Sequence, residues 1–196
     1  MVIRHADPAL DGAACAAIYA PYVLDSVASF EERAPDAAEM AERIGRVTAR
    51  YPWLVAEHDG TQRGYAYATE HRSRAAYRWA AEVAAYVAAD HHRRGLGRAL
   101  YDALFELLGR QGLQVALAGI TLPNDASVGL HEACGFKPIG VFHRIGWKAG
   151  AWWDVGWWEL ELISPTDGPP PEPEPPRGSR SRSGSELRLP RGAPGR

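Results

Sequence analysis

Hydrophobic and polar positions in residues 1–163 alternate between a two-residue and a 3.6-residue period, which predicts a succession of strands and helices. Residues 2–6, VIRHA, predict a first strand. Asp7 supplies an N-cap and Pro8 suits the first helical turn, so we expect a helix from there to about Tyr19. Residues 26–32, SVASFEE, are expected to be extended.

A capping box and a hairpin turn mark the next elements. Asp36 with Glu39 three residues later predicts the start of a second helix. The pair Asp59-Gly60 lies between two apolar runs and predicts a β-hairpin with a tight turn. The later segments are a polar loop HRSRAAYR, a strand WAAEVAAYV, a turn and helix in residues 88–110, a buried strand QVALAGI, a short helix NDASVGLHEACG and two strands in residues 140–162. The expected fold is α/β, with a mixed sheet of six or seven strands flanked by helices.

The composition changes sharply near residue 163. Residues 164–196 contain nine of the fifteen prolines, interspersed with serine, glycine and arginine. Such a segment buries too little apolar surface to offset the entropy of ordering it, so we predict a disordered tail after a domain of residues 1–163. Its arginines could contact an acidic partner, but a solvated extension is the simpler explanation.

Charge, cysteines and apolar runs limit the function classes. The net charge is −2, whereas proteins built mainly to hold nucleic acid are usually strongly basic. No apolar run reaches the roughly 18 residues of a membrane span, and no signal peptide is evident. Cys15 and Cys134 have neither disulfide-framework nor metal-ligand spacing, and the adjacent His91 and His92 would point apart, so we expect a cytoplasmic protein without a bound metal.

A glycine turn opens the helix in residues 88–110. Glycines at a helix N-terminus let an anion approach the unpaired backbone N–H groups, and nearby arginines add positive charge. The sequence lacks the P-loop motif, and Leu100 stands where a dinucleotide fingerprint needs its third glycine. A glycine-softened helix start with solvated arginines remains the alternative. The residues concerned are Arg93, Arg94, Gly95, Leu96, Gly97 and Arg98.

Several separated motifs together resemble the GNAT superfamily of N-acetyltransferases, in its phosphinothricin and methionine sulfone branch. They are YPWLVAE, GYAYA, RAAYRW, the AE before YV, RRGLGRALY, LPNDASVGLHEACGF and GWKAGAWWDVGWWELEL, and they span roughly residues 2–162. The resemblance implies the GNAT fold and acetyl-CoA as co-substrate, with the glycine turn on the pyrophosphate. It also implies that the strand ending in Tyr86 and Val87 pairs with the pantetheine arm. Asn124 and Ser127 would contact the pantetheine and the pyrophosphate, although N-capping also explains Asn124. His92 departs from the glutamine or arginine usual at the first position of the motif.

Glu82 is the expected general base. Strand alternation places Glu82 on one face with Ala80, Ala84 and Tyr86, so it is either an outward-facing glutamate or a carboxylate facing a cleft. Transfer to an amine needs a proton acceptor, because a free α-amino group is largely protonated near neutral pH. The resemblance assigns that role to Glu82, and Glu70 is the fallback.

His131, on the short helix, has two open interpretations. It could donate a proton or a hydrogen bond to the departing sulfur, as the resemblance suggests, or it could simply pack against the domain. Cys134 has no visible partner base, so we expect direct transfer without a covalent acyl-enzyme.

The resemblance places the acceptor pocket at Phe30, Arg74, Tyr77 and Ala84. A guanidinium fork suits a carboxylate, phosphinate or sulfone oxygen, although a solvated basic loop is the alternative. Ala20 and Ala84 replace polar residues common in the branch, which leaves the acceptor's identity open.

The C-terminal strands carry five tryptophans, Trp147, Trp152, Trp153, Trp157 and Trp158, which form either core or a homodimer interface.

The expected activity is N-acetylation of the α-amino group of a small amino-acid analogue of the phosphinothricin, methionine sulfone or sulfoximine type. The alternatives are another amine, such as a polyamine, an aminoglycoside or a protein N-terminus, and a non-catalytic coenzyme-A-binding module.

Overall fold

A computed structural model describes residues 1–164, 168 and 170–176. Within these residues the chain forms seven strands and four helices, together with short 3₁₀ turns at Ala75–Tyr77 and Ala89–His91. The strands are β1 (Val2–His5), β2 (Trp53–His58), β3 (Thr61–Glu70), β4 (Ala80–Val87), β5 (Val115–Leu122), β6 (Lys137–Lys148) and β7 (Ala151–Glu161). The helices are α1 (Pro8–Leu24), α2 (Ala37–Thr48), α3 (Leu96–Arg110) and α4 (Asp125–Ala133).

The strands form one mixed sheet in the order β1-β2-β3-β4-β5-β7-β6. Neighbouring strands are antiparallel except β4 and β5, which are parallel. The parallel pairing covers only three positions and ends where Glu82 lies opposite Leu117. Beyond that point β4 continues to Val87 and β5 to Leu122 without pairing to each other, so a wedge-shaped gap opens between them. The predicted mixed sheet is confirmed.

The two faces of the sheet bury separate cores. On one face the leucine stripe of α3 packs on alternate residues of β4, and Leu100 and Leu104 are fully buried beside Ala81. On the other face α1 and α2 cover the aromatic side chains of β2 and β3, including Trp53 and Tyr65. The alternation predicted for β4 therefore holds, and Glu82 lies on the face of α1 and α2.

Local signals for the second helix and the hairpin are confirmed. Asp36 Oδ1 accepts the Glu39 N–H while the Glu39 carboxylate accepts the Asp36 N–H, which completes the capping box. Asp59 and Gly60 both have positive φ, 50° and 71°, as a primed two-residue hairpin turn requires.

The segment 26–32 is an irregular loop, so the prediction of extended structure there was wrong. Side chains, instead of a neighbouring strand, satisfy its backbone: Ser29 Oγ accepts the Glu31 N–H, and Lys148 Nζ donates to the Ser29 carbonyl at 2.6 Å. The first helix also runs past Tyr19 and through Pro21 to Leu24. Burial of Val23 against the second core outweighs the hydrogen bond that the proline cannot donate.

Residues 170–176 lie along the domain without helix or strand. The Trp79 indole N–H donates to the Pro171 carbonyl at 2.8 Å, and Gln111 exchanges backbone and side-chain hydrogen bonds with Glu174. The composition of the tail did not predict these contacts. Residues 165–167, 169 and 177–196 lie outside the described residues, and disorder there stays a prediction.

Candidate active site

Glu82 lies at the point where β4 and β5 separate. It is opposite Leu117 in the last parallel pair and opposite Thr69 on β3, so its side chain stands beside the gap and on the face of α1 and α2. The Glu82 side chain is 37% exposed, so its carboxylate is accessible both to a ligand in the gap and to a ligand on that face. This placement agrees with the interpretation of Glu82 as a cleft-facing carboxylate.

The glycine turn lies just beyond the open end of the same gap. Gly95, the N-cap of α3, has φ 79° and gives no side-chain cap, and Arg93 is also left-handed with φ 57°. The first N–H groups of α3 therefore have no capping side chain, and a Cβ on Gly95 would meet nothing within 4 Å. Backbone donors of this kind with open space in front of them suit a phosphate. The turn therefore fits the pyrophosphate of a coenzyme A thioester.

His92 stands where the glycine-turn motif usually has glutamine or arginine, and hydrogen bonds at the end of β4 accommodate it. The His92 Nε2–H donates to the Val87 carbonyl at 2.9 Å, and the Tyr22 hydroxyl donates to the same carbonyl at 2.6 Å. The histidine thus anchors the turn to β4 and to α1. The side chains of Arg93 and Arg94 remain exposed and can add positive charge in front of the turn.

A hydrogen-bond chain runs to Glu82 from the arginine loop, the connection between β3 and β4 that carries Arg72, Arg74 and Arg78. The His71 Nδ1 atom lies 2.8 Å from Glu82 Oε1, and Arg72 Nε donates to His71 Nε2 at 3.3 Å. The His71 ring lies edge-on to Tyr77 and to Trp157, with ring centroids 5.8 and 6.0 Å away. Sequence reasoning missed His71, because only the register that sets Thr69 opposite Glu82 brings His71, just past the end of β3, beside the carboxylate.

A cavity of about 340 Å³ opens on the face that carries Glu82. Thr69, the cross-strand partner of Glu82, contributes to its wall. Arg43, at its edge, holds Glu31 through two hydrogen bonds of 2.7 and 2.8 Å, and this pairing lowers the pKa of Glu31. That carboxylate is therefore ionised and already neutralised. The complete lining is Tyr19, Met40, Arg43, Arg46, Val47, Trp53, Tyr65, Tyr67 and Thr69.

The loop between α1 and α2 makes contacts with both α1 and the edge strand β6. Ser29 Oγ lies 2.6 Å from the Tyr19 hydroxyl on α1, while Lys148 of β6 donates to the carbonyls of Val23 and Ser29. Phe30 follows directly, and its ring lies against the backbone of Gly146 on β6. The loop therefore links α1 to β6, the edge strand of the sheet.

The other residues expected at the acceptor pocket lie on or beside β4. Ala84 shares the face of Glu82 and pairs with Tyr67. Tyr77 is 40% exposed and packs against His71, so it is linked to Glu82 through that ring. Arg74 is the N-cap of the 3₁₀ turn that carries Tyr77, and the ion pair of the described residues that involves this turn belongs to Arg78, with Glu172. Structural contacts thus connect Tyr77 to the carboxylate, whereas Phe30 lies on the loop between α1 and α2 and packs on β6.

His131 is turned into the domain. It is 5% exposed, its Nδ1–H donates to the Ser127 carbonyl at 2.7 Å, and its Nε2 accepts from the Tyr101 hydroxyl at 2.9 Å. Burial lowers the pKa of His131, which favours the neutral ring that this pair of bonds requires. With both ring nitrogens engaged, the geometry favours the packed helix histidine over a proton donor to sulfur.

The remaining predicted coenzyme contacts have local structural roles as well. Asn124 caps α4, because its side chain accepts the Ser127 N–H at 3.1 Å. The Tyr86 ring packs edge-on against Tyr19 and Tyr22, at 4.8 and 5.1 Å between centroids. Only the backbone of Tyr86 can therefore face a ligand in the gap.

Metal ligands and membrane-spanning helices can both be assessed for the described part of the chain. Within it, no group of three or more histidine, cysteine, aspartate and glutamate side chains could bind a metal ion. None of its helices combines the length and the apolar composition that crossing a bilayer requires.

A sheet that splays at a carboxylate, with an uncapped glycine turn at the open end, defines a class of enzymes that transfer an acyl group from a coenzyme A thioester. A family model described as an acetyltransferase (GNAT) domain matches residues 8–157. The chain belongs to this family: it is an acetyltransferase, and acetyl-CoA is its co-substrate. The fold and the family that the sequence motifs predicted are confirmed.

Three relatives illustrate the similarity. The chain is 40% identical over 165 residues to a phosphinothricin N-acetyltransferase of Streptomyces viridochromogenes, covering 84% of this chain and 88% of the relative. It is 37% identical over 163 residues to an L-methionine sulfoximine/L-methionine sulfone acetyltransferase of Salmonella typhimurium, covering 83% and 95%. A crystal structure of a phosphinothricin acetyltransferase from Sinorhizobium meliloti in complex with acetyl-CoA has a TM-score of 0.79 at 35% identity, covering 85% and 93%.

Proposed function

We propose that the enzyme acetylates the α-amino group of a small anionic or sulfone-bearing amino-acid analogue, with Glu82 as the general base. The observation that carries this proposal is the position of Glu82 at the apex of the β4–β5 gap, beside an arginine loop. The names of the relatives, which concern phosphinothricin and methionine sulfoximine or sulfone, support the same class of acceptor.

The chemistry follows from this placement. The thioester lies in the gap with its pyrophosphate on the turn at Gly95. The acceptor nitrogen reaches the thioester carbonyl carbon from the face of α1 and α2. Glu82 accepts a proton from the ammonium group, directly or through one water, so that the nitrogen lone pair is free to form the amide bond. The carbon–sulfur bond then breaks, the second proton of the attacking nitrogen passes to the departing sulfur, directly or through water, and coenzyme A leaves as the thiol. No protein nucleophile is needed.

Charge near Glu82 supports an acceptor with an acidic or strongly polar group. In this loop Arg78 is paired with Glu172, whereas Arg72 donates to the His71 ring and Arg74 has no ion pair among the described residues. In contrast, the nearby Glu31 is paired with Arg43. A polyamine or an aminoglycoside would need unpaired carboxylates instead. A guanidinium binds a carboxylate, phosphinate or sulfone oxygen through two parallel N–H donors.

We also propose a homodimer formed through β6. This strand is one edge of the sheet, and it exposes a large apolar surface. Exposed apolar edge strands are normally covered by a partner. Light scattering on Phe142→Glu beside the parent chain tests the proposal, which predicts dissociation to monomers. The exposed side chains are Ile139, Val141, Phe142, Ile145, Trp147 and Trp152. Trp158, by contrast, is buried in the core.

We propose a cytoplasmic location as well. Cys15 and Cys134 are both free thiols, which is typical of proteins from a reducing compartment.

The test measures coenzyme A release with phosphinothricin, methionine sulfone and methionine sulfoximine beside spermidine, kanamycin and an N-terminal peptide. We expect turnover with the first three. Glu82→Gln should lower kcat on the order of 100-fold with little change in the KM for acetyl-CoA. The matched control is Glu70→Gln, because Glu70 is an exposed carboxylate at the end of β3 whose partner is Arg50. Full activity in Glu82→Gln, or a loss only in Glu70→Gln, would overturn the assignment of the base. Turnover only with the second group of amines would overturn the acceptor class.

A further inference from the structure

We infer that His71 is a positioning residue for the base: it fixes the Glu82 carboxylate and couples it to the arginine loop that meets the acceptor. This inference rests on the proposed role of Glu82. It goes beyond that role, because it assigns a function to a residue that neither the glycine turn nor the acceptor motif includes.

The strand register creates the contact. Thr69 lies directly opposite Glu82, and His71 follows two residues later, just past the end of β3. Side chains two residues apart in extended chain point to the same face, and a diagonal cross-strand neighbour is within reach of a long side chain. The His71 ring therefore meets the carboxylate, and its Nδ1 lies 2.8 Å from Oε1.

The neighbours of the ring determine which nitrogen carries the proton. Arg72 Nε can only donate a hydrogen bond, so His71 Nε2 must accept it. In the neutral ring the proton is then on Nδ1, and it is donated to Glu82 Oε1. This arrangement occupies one carboxylate oxygen and leaves Oε2 as the oxygen that can take the proton of the amine.

Packing fixes the ring in this orientation. The His71 side chain is 15% exposed and stands edge-on to Tyr77 in the arginine loop and to Trp157 on β7. The Arg72 guanidinium carbon lies 5.9 Å from the centroid of the Tyr77 ring. An acceptor that binds the arginine loop is therefore in contact with residues that pack against the His71 ring, which orients Glu82.

A group that orients a catalytic side chain commonly contributes about 10- to 100-fold to the rate, as partners of metal-bound ligands do. We therefore expect His71→Phe, which keeps an aromatic ring but cannot donate, to lower kcat about tenfold or more with the KM for acetyl-CoA unchanged. Replacement by asparagine places an amide N–H near the former Nδ1 position and should restore kcat to within about threefold of the parent enzyme. Glutamine places its amide near Nε2 and should not restore it.

The experiment is steady-state kinetics on the full chain for the variants His71→Phe, His71→Asn, His71→Gln, Glu82→Gln and the double variant His71→Phe/Glu82→Gln. Urea unfolding of each variant checks the fold. If His71 acts through Glu82, the double variant is no slower than Glu82→Gln alone.

Parent-like kcat in His71→Phe, equal losses in the asparagine and phenylalanine variants, or losses that multiply in the double variant would each overturn the inference. A parent-like Glu82→Gln enzyme would instead overturn the proposed base, so the two failures are distinguishable.

Discussion

Adding one methyl group at Gly146 should impair acceptor binding without touching the coenzyme site. A Cβ at position 146 would lie 2.7 Å from Cδ2 of Phe30 and closer still to Cε2 and Cζ. Ordinary carbon–carbon contact is about 3.5–4.0 Å, so the ring must move by about 1 Å or more. Phe30 is 38% exposed on a loop and can move outward, which leaves the strand intact. Overpacking of this kind costs about 1–3 kcal/mol, or roughly 5- to 150-fold in an equilibrium.

The assay compares KM values for methionine sulfone and for acetyl-CoA in the parent chain and in Gly146→Ala. We expect the acceptor KM to rise about tenfold while the KM for acetyl-CoA stays constant. Gly140→Ala is the matched control, because it lies on the same strand and a Cβ there meets nothing within 4 Å. In a Phe30→Ala background, Gly146→Ala should have no further effect on the acceptor KM. Equal KM values in Gly146→Ala and the parent enzyme would show that Phe30 does not line the acceptor site.

Three further predictions concern buried groups and the C-terminal segment. Burial lowers the pKa of His131, so below the unfolded-state pKa of about 6.5 the unfolded chain binds more protons than the folded chain, and the free energy of unfolding decreases as the pH is lowered. His131→Gln should weaken this dependence in urea titrations between about pH 7 and 5. An unchanged slope would contradict the prediction. Burial raises the pKa of the Cys15 thiol to about 12, so a thiol reagent should label Cys15 only after denaturation; rapid labelling in the folded enzyme would show that it is accessible. Trp79→Phe removes the hydrogen bond to Pro171 and should lower the free energy of unfolding by about 1 kcal/mol, but should have no such effect in a chain ending at residue 164. An equal loss in both chains would mean that the bond contributes nothing.

Helix caps and tight turns could be predicted from the sequence, because the interactions that form them span only a few residues. The capping box at Asp36 and the turn at Asp59-Gly60 depend on hydrogen bonds and φ angles within four residues, and both form as expected. Alternation assigned Glu82 to its face of β4 correctly, since the two-residue period of a strand is fixed by its geometry. The motifs, taken together, were specific enough to predict the family.

Two failures of sequence reasoning concern segments whose backbone depends on distant side chains. The loop at 26–32 was expected to be extended, but its backbone is held by Lys148, which lies more than a hundred residues away in the chain. The first helix continues through Pro21 because the residues after it are buried, and burial outweighs local propensity. Nothing near either segment in the sequence carries this information.

The sequence by itself determined the family, the position of the glycine turn and the strand face on which Glu82 lies, because each depends on residue type and short spacing. Only the tertiary structure decided what surrounds that carboxylate. The separation of β4 from β5 beside Glu82, the contact of His71 with Glu82 and the burial of His131 against Tyr101 all follow from strand register and helix packing. A shift of one residue in the register between β3 and β4 would turn His71 to the opposite face and leave Glu82 without it.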